Sequence, residues 1–148
     1  MRYVTMHEVY PNVWITDIST AQTCPKDRFD RIITVCQDSI EDNVPDSIPY
    51  EWYNMSDGMS EYGGDDSMAL FQRATFTIIY ALIVEETILV HCHAGQSRSV
   101  TTVAAAIALY DDRDVNDVIS DIKDIRDVEP NEEMVKKAQR LVENINDN

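Results

Sequence analysis

Lysine is scarce in this chain. Only Lys26, Lys123, Lys136 and Lys137 stand against 27 aspartates and glutamates, and the formal net charge is −15 at pH 7. So acidic a surface repels polyanions, which disfavours nucleic acid and anionic membranes as partners. Long hydrophobic runs are lacking too: the longest, Phe76 to Val84, falls far short of the ~20 residues that cross a bilayer. Met1 to Tyr10 has no basic start followed by an apolar stretch, so no secretory signal is read there and a soluble, cytoplasmic protein is expected. The three cysteines, an odd number without close pairing, exclude a disulfide framework and fit a reducing compartment. The length of 148 residues, 44% of them hydrophobic, suits one domain spanning residues 1–148 with a proper core.

The acidic excess resembles that of proteins from salt-accumulating halophiles, halophilic archaea among them. Self-repulsion of this size destabilises a compact fold unless it is screened, so the chain is expected to need high ionic strength. The alternative is an ordinary acidic protein.

Chemistry concentrates at Ile88 to Ser99, where a β-branched, apolar run breaks into the polar stretch His91-Cys92-His93-Ala94-Gly95-Gln96-Ser97-Arg98-Ser99. Thr87 to Val90 reads as a buried strand, and Val100 to Tyr110 as a nearly all-apolar, alanine-rich helix. A strand running through a tight turn into a helix aims the N–H groups of residues 93 to 98 and the positive end of the helix dipole into one concavity. That field favours an anion, and it favours the thiolate form of Cys92, the form that acts as a nucleophile. Arg98 offers a bidentate fork for phosphate oxygens, and Gly95 lets the backbone turn close to them. A chance Cys-x5-Arg is expected about 0.16 times in this composition, and the added glycine lowers the figure to about 0.004.

His91-Cys92-x-x-Gly95-x-x-Arg98-Ser99 resembles the signature loop of the cysteine-dependent protein tyrosine phosphatases, specifically the small dual-specificity branch. The resemblance implies hydrolysis of phosphate monoesters on phosphorylated proteins through a phosphocysteine, without metal or other cofactor. It assigns attack to Cys92 and oxyanion binding to Arg98 and the amides of His93, Ala94, Gly95, Gln96 and Ser97. It further assigns thiolate support to Ser99 and loop orientation to His91. His93 and Gln96 stand where the phosphoinositide phosphatases of this superfamily place lysines, which disfavours a highly anionic lipid.

The leaving oxygen needs a proton from a separate carboxylic acid. The segment Ser56 to Asp66 carries three glycines and four carboxylates. Asp57, 35 residues before Cys92, has the spacing and context of the family's general acid. Asp65 and Asp66 are rivals that also suit the N-cap of the next helix. Cys36, at the end of a predicted strand, is either a small core residue or, by the resemblance, a reversible disulfide partner of Cys92. Arg126, in Arg-x-x-x-Pro-Asn, either contacts a second substrate phosphate, as the resemblance implies, or pairs with acidic neighbours.

The remaining pattern predicts an early strand or hairpin over Val9 to Thr16, a short helix starting at Thr20 to Thr23, and strands at Arg31 to Val35 and Tyr50 to Met55. Helices follow over Ser67 to Val84, Asp114 to Ile125, and after Pro130-Asn131. The fold class is therefore α/β, a mainly parallel central sheet flanked by helices on both faces, and the resemblance implies that it is dual-specificity phosphatase-like. A metal site at His91, Cys92, His93 and His7 is disfavoured, since neighbouring strand residues point to opposite sides. A phosphate-binding module without activity is the non-enzyme alternative, and oligomeric state is left open.

Overall fold

Every residue of the strand Ile88–His91 is buried, because strands pair with it on both edges and layers cover both of its faces. The computed structural model describes residues 5–58 and 64–147. In chain order its strands are β1 (His7–Tyr10), β2 (Val13–Thr16), β3 (Arg31–Thr34), β4 (Tyr50–Trp52) and β5 (Ile88–His91). Its helices are α1 (Ile18–Thr23), α2 (Met68–Ile83), α3 (Arg98–Asp111), α4 (Val115–Ile125) and α5 (Glu132–Asn146), with a single 3-10 turn at Glu41–Asn43 inside the polar connection 37–49. The strands form one sheet in the order β1-β2-β5-β3-β4, parallel except for the β1–β2 pair.

The hairpin is closed at Pro11-Asn12. Asn12 takes the left-handed conformation (φ 69°) that asparagine tolerates better than most residues, and its N–H donates to Glu8 Oε2 at 2.9 Å.

Helices cover the two faces unequally. Val13, Ile15, Ile33, Ile88 and Val90 point toward α2, α3, α4 and α5, whereas Trp14, Ile32 and Leu89 cluster with α1, Met6, Tyr50 and the loops around Phe29, Ile40 and Ile48. The four-helix side is possible because α3 is buried on all sides from Ser99 to Ala108, where Ala104, Ala105, Ala106 and Ala108 let its neighbours come close. α4 buries the stripe its periodicity predicts, Val115, Val118, Ile119 and Ile122, and α5 buries Met134, Ala138, Leu141 and Val142 of its predicted stripe while Val135 and Ile145 are only partly buried. Each begins at a side-chain cap, Asp114 on the N–H of Asn116 and Asn131 on that of Glu133.

The start of α2 departs from expectation. The cap is Ser67, whose Oγ accepts from Leu70 N–H, and Asp65 instead accepts the N–H of Ser67 at 2.7 Å. A hydroxyl adjoining the first helical residue reaches the N3 amide directly, which leaves the earlier carboxylate to order the approach. The central part of the glycine-rich segment, residues 59–63, lies outside the described residues.

No described helix is long and apolar enough to cross a membrane. Cys24, Cys36 and Cys92 are all free and buried.

Candidate active site

Three strands bring polar residues to their carboxyl ends in one row: Thr16 pairs with His91, and His91 with Thr34. Ligands of open α/β sheets gather beyond such strand ends. β5 runs directly into the predicted loop there, and α3 begins at Arg98.

The loop is held from outside by its carbonyls. His93 O accepts the N–H of Ile18 at 3.0 Å, Gly95 O accepts Arg126 Nε at 2.7 Å, and Ala94 O accepts Arg126 Nη2 at 3.3 Å. With three successive carbonyls turned outward, the loop N–H groups face the concavity, and that of Gly95 donates to Cys92 Sγ at 3.3 Å. Gly95 sits at φ 69°, and a Cβ there would lie 2.4 Å from Arg126 Nη2 and 2.6 Å from Thr16 O. Glycine is therefore required twice over, by the dihedral and by the space.

Cys92 is 2% exposed at the floor of this cradle, with Ser99 Oγ 3.3 Å from its sulfur. His91 is buried beneath it. Burial lowers its pKa to about 4, so the ring is neutral near pH 7. Its Nδ1 lies 3.0 Å from Cys92 O, which can only accept, so Nδ1 carries the proton and Nε2 accepts from Thr34 Oγ1 at 2.6 Å. Thr34 in turn accepts from Tyr50 Oη at 2.7 Å, and Tyr50 Oη accepts the N–H of Ile40 at 2.9 Å. A directional chain of neutral hydrogen bonds thus runs from the edge strand to the backbone of the nucleophile.

Arg98 is half-buried at the mouth. Its Nη1 donates to Gln37 Oε1 at 2.6 Å and to Met55 O at 3.2 Å, while its buried Nε has no partner among the described residues. An orphaned guanidinium N–H is costly unless something anionic completes it. A cleft of about 350 Å³ lined by Gln37, Asp38, His93 and Arg98 gives access to it.

The expected acid reaches the loop through Ser97. Asp57 Oδ1 accepts from Ser97 Oγ at 2.7 Å, whereas Asp65 lies exposed at the approach to α2 and the carbonyl of Asp66 is taken by Lys137 Nζ. Of the three candidates, Asp57 is the one that touches the loop.

Arg126 forms no ion pair with its acidic neighbours among the described residues. It is 5% exposed, and beyond the two loop carbonyls its Nη1 donates to Thr5 O and to His7 Nδ1. The carbonyls of a phosphate loop need donors behind them, and a planar fork with five N–H groups supplies several at once. Burial and the neighbouring guanidinium together lower the pKa of His7.

Cys36 is fully buried just past β3, its thiol pushed up to about 11 by desolvation, with the nearby Cys92 adding to the rise. His93, Ala94 and Gln96 form the exposed rim, His93 3.9 Å from Asp38.

Gln37, Thr34 and Tyr50 are not singled out from sequence, and Asn131 is read there only as the end of the Arg126 motif and the start of the last helix. Gln37 carried one usable signal, its place three residues past the end of the central strand β3. The other three join through contacts far apart in the chain.

A sequence model described as "Dual specificity phosphatase, catalytic domain" matches residues 13–141. Solved structures share the fold. Human DUSP28 superposes with a TM-score of 0.78 at 15% identity, covering 96% of this chain and 95% of its own. The human tyrosine phosphatase-like serine/threonine/tyrosine-interacting protein gives 0.78 at 21% identity, covering 97% and 98%. PTPMT1 in complex with PI(5)P gives 0.74 at 14% identity, covering 97% of each.

Proposed function

The chain belongs to the dual specificity phosphatase catalytic-domain family, and from that membership we propose that it hydrolyses phosphate monoesters on proteins, phosphotyrosine together with phosphoserine and phosphothreonine, through a phosphocysteine. The observation that carries this reading is the joint placement of Cys92 Sγ at the floor of an amide cradle and, at its mouth, of a buried Arg98 Nε without a partner among the described residues.

In the first step the Cys92 thiolate attacks phosphorus in line with the ester oxygen. The S–P bond forms, the P–O bond breaks, and the departing oxygen takes the proton of the Asp57 carboxyl group. Arg98 Nε and the loop amides receive the equatorial oxygens, whose spread charge is what such a loose transition state needs neutralised. In the second step water attacks phosphorus, the Asp57 carboxylate accepts its proton, and the S–P bond breaks. The returning thiolate is met by the Ser99 hydroxyl and the Gly95 N–H.

His93 and Gln96 bring no lysine charge to the rim, and Asp17 and Asp127 line the cleft beside it. Both features favour a phosphoprotein over a multiply phosphorylated lipid headgroup. The test is phosphate release from p-nitrophenyl phosphate in concentrated KCl, wild type against Cys92→Ser. Activity in the first and none in the second is expected. A reduced, folded and inert wild type that still binds vanadate would replace this reading with that of a phosphate-binding module.

A further inference from the structure

Ser97 stands at the N-cap of α3 yet does not cap it. A serine in that place ordinarily gives its oxygen to an N–H of the first turn, which here would compete with an incoming anion. This one is 8% exposed and turns the other way: its Oγ accepts the backbone N–H of Asn131 at 2.8 Å and donates to Asp57 Oδ1 at 2.7 Å. With a lone pair taken by Asn131, the hydroxyl hydrogen points at the carboxylate. Asn131 is itself fixed, its Oδ1 capping α5 through Glu133 N–H at 2.8 Å and its Nδ2 donating to Asp57 O at 3.4 Å. Gly58 then leaves at φ 89°, where a Cβ would stand 3.0 Å from Asn131 Oδ1. The phosphate loop, the segment bearing the acid and the start of α5 therefore meet on one hydroxyl.

We infer that Ser97 is a positioning residue for Asp57, its hydroxyl oriented by Asn131 so that one carboxyl oxygen is pinned to the phosphate loop and the other is left for proton transfer. The inference rests on the reading of Asp57 as the general acid. It makes the acid's position a property of the same loop that grips the phosphate, and it assigns the side chain of Ser97 a task separate from its backbone amide.

Proton donation matters in proportion to the basicity of the leaving oxygen. Wild type, Ser97→Ala, Ser97→Thr, Asp57→Asn and the Asp57→Asn/Ser97→Ala double variant are compared on phenyl phosphate, whose leaving group is as basic as tyrosine, and on the more activated p-nitrophenyl phosphate. Vanadate inhibition reports the cradle. Ser97→Ala is expected to lower kcat on phenyl phosphate by roughly 10–100-fold, part of the 10²–10⁴ that a general acid supplies, with a much smaller loss on p-nitrophenyl phosphate and vanadate inhibition unchanged. Ser97→Thr restores the rate, and the double variant is no slower than Asp57→Asn alone. Equal losses on both substrates, weakened vanadate inhibition, or no loss at all would overturn the inference. If Ser97→Ala does not fold, Ser97→Val against Ser97→Thr, matched in shape and differing in the hydroxyl, gives the same comparison. A wild type inert on both esters overturns the phosphatase reading, whereas an active wild type indifferent to Ser97→Ala overturns this inference alone.

Discussion

Arg126 stands directly behind Gly95, donating from Nε to its carbonyl at 2.7 Å and filling with Nη2 the space a side chain at position 95 would need. The two residues, 31 positions apart, are complementary halves of one support.

Gly95→Ala is therefore expected to abolish phosphate release, by ~100-fold or more, and to lower Tm. The Cβ would meet a guanidinium nitrogen and a backbone carbonyl well inside contact distance, at a positive φ that costs an L-residue a further ~1–2 kcal/mol. A variant of unchanged activity would show that the loop does not need its observed path.

Arg126→Ala removes the donors to Ala94 and Gly95 carbonyls, and a buried group left unsatisfied costs about 1–3 kcal/mol. Urea unfolding is expected to register that loss, and vanadate affinity to fall with it. If Arg126 instead served a second substrate phosphate, only doubly phosphorylated peptides would suffer.

Gln37→Ala frees Arg98 Nη1 from one of its two anchors. One neutral-acceptor hydrogen bond to a charged donor is worth about 1.5–3 kcal/mol, so kcat/KM is expected to drop by ~10–100-fold, and Gln37→Glu to restore the anchor. Equal activity in all three would mean that Arg98 is held by Met55 alone.

His91 gives a pH signature. Its folded pKa, about 4, lies below the ordinary 6.5, so between those values the unfolded chain binds the extra proton. Stability therefore rises with pH through that window and is lost as pH falls from 6.5 toward 4, by a maximum of about 3 kcal/mol. The check is the pH dependence of Tm in wild type and His91→Asn. The variant is expected to lose less on acidification, and identical slopes would disprove the assignment.

Cys36 and Cys92 are proposed to form a reversible disulfide after mild peroxide. Because burial holds the Cys36 thiol near 11, the yield of the linked pair is expected to rise with pH. Peptide mapping that finds only sulfinic or sulfonic Cys92 would refute the pairing.

Much of this was legible in the chain. The signature from His91 to Ser99 combines strand, turn and helix patterns within a dozen residues, and α4 and α5 announce themselves by period and cap. The supports behind the loop were hidden for a physical reason: Arg126 acts on backbone carbonyls, and Tyr50, Thr34 and His91 meet only because β4, β3 and β5 are neighbours in the sheet. Such partners carry no spacing of their own. The cap of α2 was misassigned because several carboxylates precede Ser67, and propensity does not choose among adjacent cap formers.

The acidic surface makes a prediction of its own. With a net charge of −15, Tm is expected to rise as KCl is added. A midpoint that stays flat or falls would show that self-repulsion does not limit the fold.

The two arginines at the loop, Arg98 and Arg126, have amide, imidazole and carbonyl acceptors in place of carboxylate partners among the described residues. Ionic atmosphere acts on the long-range repulsion of a net charge more than on short, shielded contacts between a cation and a neutral acceptor. The exterior and the cradle consequently answer to different variables. Within the range of salt in which the chain stays folded, added ions are expected to alter how tightly the molecule holds together more than the shape of the place prepared for the phosphate.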